Sequence, residues 1–148
     1  MFRQRNDAKK WFRHLNLKPA FDIYYFCLMA GLTEGAKKPL PSSNATDLVP
    51  YFPEVYEAQS RLIITLFLRR ELEELSVNLE NRKQLNATIA SLVDPRSRAY
   101  LSQKGFREMN KYAFGGFEVL RDRWFEGEPR TIEVFLPRFY KKAKAHLS

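Results

Sequence analysis

From Pro53 to Leu79 the apolar residues Val55, Ala58, Leu62, Ile63, Leu66, Leu72, Leu75 and Leu79 recur at helical intervals. That spacing lines one face of an α-helix for about six turns and does not fit the two-residue period of a strand. A stripe so long must be covered, and the rest of the chain offers mainly helices to cover it. Ala8, Trp11, Phe12 and Leu15 repeat the pattern behind Asp7, which reads as an N-cap. Pro19 is placed to open a second helix carrying Phe21, Tyr24, Tyr25, Leu28 and Leu32, with Gly31 and Gly35 bringing it to a stop. Being apolar on most sides, this helix is expected at the centre.

Leu85, Ile89, Leu92 and Val93 make a further helix that ends at Asp94-Pro95, and Asp94 is then positioned to cap a short piece through Tyr100 and Leu101. Between Gln103 and Phe125 the set Phe106, Met109, Ala113, Phe117, Leu120 and Trp124 is again helical. Gly115-Gly116 weakens that helix unless the pair permits a close crossing; otherwise the chain bends there. A last segment opens at Pro129 and places Ile132, Phe135, Leu136, Phe139, Tyr140 and Ala143 on one face, while Pro137 predicts a kink or break. Thr131 to Leu136 also reads as a short strand. So do Phe2 to Arg5, which ahead of two helices would suit a ribbon-helix-helix dimer reading DNA through Arg3 and Arg5.

Pro39, Pro41, Pro50 and Pro53 around Ser42-Ser43-Asn44 exclude a helix over residues 36–53, which form the one long loop, read as a spacer. No repeat or low-complexity tract is present, and 148 residues with 45% hydrophobic content suffice for one core. The expectation is therefore an all-α compact bundle of about five to seven helices in a single domain, 1–148, with a short N-terminal strand admitted. Twelve Phe and seven Tyr supply the large rings that such a core needs where Val and Ile are scarce.

Chemistry is sparse. The single cysteine, Cys27, sits in the apolar run Tyr24-Tyr25-Phe26-Cys27-Leu28-Met29, where it packs as a small hydrophobe and fits a reducing compartment. His14 and His146 have no Cys or carboxylate at a metal-ligand spacing. Glu71, Glu73 and Glu74 follow Arg69-Arg70 without any Glu-x-x-His, so mixed charge on a solvated helix face accounts for them. Neither a Gly-x-Ser-x-Gly elbow nor a Gly-rich phosphate loop occurs. Asp22, Glu54 and Lys104 are scattered, and no spacing recommends them as a site. No cofactor, metal or catalytic group is implied. The basic start lacks a signal-peptide core, and no apolar run is long enough to span a membrane, which points to the cytoplasm.

What stands out is positive charge. The formal net charge is +8, with a pI near 9.7, and it gathers at the ends. Arg3, Arg5, Lys9, Lys10, Arg13 and Lys18 face one acid, Asp7, in the first twenty residues; Arg138, Lys141, Lys142 and Lys144 face none in the tail, while residues 21–60 are net acidic. If the fold brings the ends together, these ten cations make a surface for the phosphate backbone of nucleic acid. No residue stands out as a base reader, although Trp11 and Tyr140 are candidates for stacking on unpaired bases.

A basic first helix with Lys9, Lys10, Trp11 and Leu15, a turn ending in Pro19, an apolar helix with Cys27-Leu28 and Gly31-Leu32, and a later Leu-rich helix ending in Leu68-Arg69-Arg70 give the first eighty residues a resemblance to the DndE family, small helical accessory proteins of bacterial DNA phosphorothioate modification. The family's Thr-Gly pair in the inter-helix turn is replaced here by Leu15-Asn16-Leu17-Lys18, and residues beyond about 95 have no counterpart. The resemblance implies a non-enzymatic, self-associating DNA-binding partner in a DNA-modification or phage-defence system, with Lys9 and Lys10 on phosphates. Charge and resemblance agree on a nucleic-acid-binding accessory subunit, with DNA rather than RNA as ligand and with protein partners or self-association. The competing expectation is a protein-interaction or scaffold subunit whose aromatic stripes are buried only against a partner.

Overall fold

Asp7 lies inside the first helix, not at its mouth. The computed structural model describes residues 2–17, 21–39, 57–97 and 100–145, with side chains from 7 in the first stretch and from 58 in the third. These residues form six α-helices: α1 (Phe2–Trp11), α2 (Phe21–Glu34), α3 (Glu57–Glu74), α4 (Arg82–Leu92), α5 (Gln103–Val119) and α6 (Ile132–Ala145). Extended pairing among them is confined to one bridge between Val93 and Leu101. The class is all-α. Neither short strand forms: Phe2 to Arg5 are helical because the stretch is rich in Arg, Gln, Ala and Lys and holds no β-branched residue. Thr131 instead caps α6, its Oγ1 accepting the Val134 N–H at 3.3 Å. Residues 36–39 leave α2 without helical structure, and the remainder of the 36–53 loop lies outside the described residues.

The chain divides into two compact units, unit 1 (Met1–Asp47 with Asn110–Ser148) and unit 2 (Leu48–Met109), the boundary falling within α5.

In unit 1, α2 and the second half of α5 cross backbone to backbone. A Cβ on Gly31 would stand 1.9 Å from the Tyr112 carbonyl oxygen, and one on Gly116 only 1.6 Å from that of Cys27. The glycine pair therefore makes a close crossing and interrupts nothing, and Gly31 is a packing residue within α2. The helix ends later, at Glu34, with Gly35 in the left-handed region and the Ala36 N–H returning to the Gly31 carbonyl at 2.8 Å. α5 runs on into a π-helical turn, Leu120–Trp124. There Trp124 Nε1 donates to Glu34 at 3.0 Å, and Arg123 reaches the same carboxylate at 2.7 Å.

Rings fill the rest of this unit. Phe12 meets Phe26 at 6.3 Å and Phe135 at 5.6 Å, and Phe26 meets Phe135 and Phe139 at 4.9 and 5.0 Å. Most of these contacts are edge-to-face, the geometry that the ring quadrupole favours. α6 passes through Pro137 as one helix; the expected break does not occur, because Phe135 and Phe139 on either side are both buried and hold its inner face in place.

In unit 2 the buried face of α3 is turned relative to the expected stripe. Ser60, Ile63, Ile64, Phe67 and Glu71 are buried, whereas Leu62 is 61% exposed. The helix also stops earlier than the apolar spacing suggests. Ser76 takes a positive φ, and the N–H groups of Ser76 and Val77 return to the carbonyls of Glu73 and Leu72, so a Schellman turn leaves Leu75 and Leu79 beyond the helix and exposed. Asn81 caps α4 through the Gln84 N–H at 3.1 Å. Asp94 makes a turn through the Arg96 N–H at 3.0 Å in place of a new helix. Ser102 caps α5, accepting from Gly105 N–H at 3.0 Å while donating to the Ser91 carbonyl at 2.7 Å.

Candidate functional site

The two basic ends of the sequence fall in the same unit. Unit 1 holds 16 of the 25 Lys and Arg residues and 9 of the 17 acids, hence +7 of the total +8; unit 2 balances nine cations against eight acids. The positive charge is thus segregated onto one compact body, as a polyanion-binding surface requires.

Within unit 1, α1 and α6 are tied through aromatic contacts. Phe12, just beyond α1, packs on Phe135 in α6, and Trp11 sets its edge against Phe125 at 5.7 Å. The α6 axis advances about 10 Å from Phe135 to Lys142, so the lysine-bearing last turn lies about two helical turns beyond this junction. Lys9 and Lys10 in the last turn of α1, and Lys141 and Lys144 in the last turns of α6, are exposed; Lys142 is half-buried. Among the described residues no carboxylate pairs with any of these five lysines.

The arginines differ. Arg13 is held by Glu128 at 3.0 Å, and His14 Nε2 stands 3.6 Å from the same carboxylate oxygen. Arg138 folds back, its Nε donating to the Trp124 carbonyl at 2.7 Å with the guanidinium over the Phe125 ring. Arg13 and Arg138 are therefore engaged in holding the fold, and any phosphate must compete with those contacts. The side chains of Arg3, Arg5 and Lys18 lie outside the described residues. Arg130, exposed before α6, is a cation that the sequence hid between the acids Glu126, Glu128 and Glu133.

Lys38, Arg121 and Arg123 are neutralised locally. Lys38 pairs with Glu118. Arg121 pairs with Asp122 at 2.8 and 3.0 Å, and this bidentate contact raises the guanidinium pKa and lowers that of the carboxyl. Next to them a shallow depression of about 200 Å³ is lined by Lys37, Glu118, Asp122 and Arg123 among others; its mixed charge selects no ligand. Among the described residues the exposed lysines of this unit are Lys9, Lys10, Lys141 and Lys144.

Trp11 is corrected as a stacking candidate. It is buried against Phe12, Phe117 and Phe125, because the stripe it belongs to is core. Tyr140 is 55% exposed. Cys27 is buried, and burial pushes its thiol well above the ordinary range. Glu71, expected on a solvated face with Glu73 and Glu74, is buried on the inner face of α3, while Glu73 and Glu74 do pair with Arg70 at the surface. Among the described residues no three His, Cys, Asp or Glu side chains gather as a metal ion would need, and no helix is long and apolar enough to cross a membrane. No protein-family model, curated protein or solved structure matches the chain.

Proposed function

We propose that this chain is a non-catalytic nucleic-acid-binding accessory subunit, which grips the phosphate backbone of DNA through the lysines of α1 and α6. The observation that carries this reading is the segregation of +7 of the +8 net charge onto unit 1, together with the exposure of Lys9, Lys10, Lys141 and Lys144. Unpaired, solvated lysines keep their counterions and release them to a phosphate chain, which is the main source of sequence-independent affinity. The resemblance of the first eighty residues to DndE proteins supports a place in a cytoplasmic bacterial DNA-modification or phage-defence complex, as a partner of the enzymes there.

Fluorescence anisotropy of the full chain with labelled duplex across a salt series tests the reading. One phosphate for each of the five lysines gives a log-log salt slope of about −4.5. Absence of binding at low salt removes the proposal.

A second reading, a protein-interaction subunit with no nucleic-acid contact, is favoured by one feature. Leu62, Leu75 and Leu79 of unit 2 are exposed. Against it, every Phe and Trp whose side chain is described is buried or half-buried, so the aromatic stripes need no partner to cover them. Binding that survives charge reversal on α1 and α6 but fails on replacing these leucines would favour this alternative.

A further inference from the structure

The outer face of α6 carries more than charge. Positions 137, 140, 141 and 144 share one side of the helix, opposite the buried Phe135 and Phe139. Pro137, Tyr140, Lys141 and Lys144 are all exposed there. Lysines near a helix C-terminus also complement the helix dipole, but the dipole gives no reason for an exposed aromatic ring beside them. The ring is not loose: it meets Phe139 edge-on at 5.5 Å and 82°. That contact restrains the ring of Tyr140 from the core side, so little side-chain freedom is lost when a ligand settles on it.

A half-exposed, pre-oriented ring with two ammonium groups within one turn matches the chemistry of a nucleotide in an unpaired strand. A base offers a π face to the ring while its flanking phosphates take the lysines. A duplex offers phosphates but keeps its base faces stacked. Resting on the nucleic-acid reading above, we infer that Tyr140, with Lys141 and Lys144 beside it, is a stacking platform for an unpaired base, so that this face of α6 selects single-stranded over duplex nucleic acid.

The test is anisotropy of the full chain and two variants with labelled oligodeoxythymidine and a duplex of equal length. Tyr140→Phe keeps the ring and is expected to bind the single strand within about twofold of the parent, whereas Tyr140→Ala should lose about tenfold. Because stacking releases no counterions, the salt slope of Tyr140→Ala stays unchanged and duplex affinity does not move. Circular dichroism checks that the helix is retained, as Ala favours. Equal weakening on duplex and single strand, or parental affinity of Tyr140→Ala for oligodeoxythymidine, overturns the stacking role while leaving the backbone reading intact. Failure of the parent protein to bind either ligand at low salt overturns both.

Discussion

Gly116 lies against the carbonyl oxygen of Cys27 so closely that an added Cβ would stand 1.6 Å from it. Both sides of this contact are backbone, so no side chain can swing away to make room. Gly116→Ala is therefore expected to destabilise the protein by about 3 kcal/mol or more, at the upper end of overpacking costs. Gly31→Ala, which meets the Tyr112 carbonyl at 1.9 Å, opens the same crossing. The double variant should fall short of the sum of the two, since the helices need separate only once. Urea denaturation of the three variants measures this; additive losses would show that the two glycines act at independent contacts.

The thiol on the other side of that crossing gives a pH signature. Burial holds the Cys27 proton on in the native state, while in the unfolded chain the thiol ionises near its free value of about 8.5. Below that value both states keep the proton and Cys27 contributes no slope. Above it the unfolded state binds fewer protons than the native one, so stability falls as pH rises, by about 1.4 kcal/mol per pH unit. Urea unfolding between about pH 7 and pH 10 should show a steeper alkaline decline for the parent than for Cys27→Ala. Identical slopes would mean that the thiol reaches solvent in the folded protein.

Helical class and the buried face of α5 were legible because local periodicity and packing agree there. Met109, Ala113, Phe117, Leu120 and Trp124 are all buried as their spacing implies. The errors around α3 have local causes. On α3 the apolar residues outnumber the positions on one face, so the sequence alone does not say which of Leu62 and Phe67 turns inward. Leu75 and Leu79 continue the numerical pattern past a Schellman turn that Ser76 forms without a glycine to announce it. For the candidate site, the clustering of charge at the ends was visible, but the partner that occupies Arg13 was not. Glu128 is distant in the chain, and only the packing of α1 near the start of α6 brings it within 3.0 Å.

Pro137 sits sixth in α6 and deprives the Glu133 carbonyl of its i+4 donor, yet the helix continues. Its side chain is exposed, so replacing it removes no core contact. Ala is better than Pro by about 3 kcal/mol in a helix interior, offset by up to about 1 kcal/mol of unfolded-chain freedom. Pro137→Ala should stabilise the protein by about 2 kcal/mol, seen as a rise in Tm of about 4–8 °C. A loss of stability would mean that the proline sets a bend on which the seating of Phe139 depends.

Charge reversal separates the lysines from the rest of the surface. Lys9→Glu with Lys10→Glu, or Lys141→Glu with Lys144→Glu, should weaken duplex binding and flatten the log-log salt slope by about 0.9 for each phosphate that is no longer neutralised. Arg82→Glu with Lys83→Glu, equally exposed but in unit 2, should leave the slope unchanged and so control for net charge. Glu128→Gln acts in the opposite sense. It removes the acid that holds Arg13 at 3.0 Å and leaves the guanidinium to the ligand, so duplex affinity should rise a few-fold with a slope steeper by about 0.9. The pair is half-exposed, so its loss should cost less than about 1 kcal/mol of stability. Anisotropy over the salt series and one thermal melt per variant decide the matter. Parallel weakening by the unit 1 and unit 2 reversals would show that net charge alone is sensed, and the lysine face of α1 and α6 would then not be the binding surface.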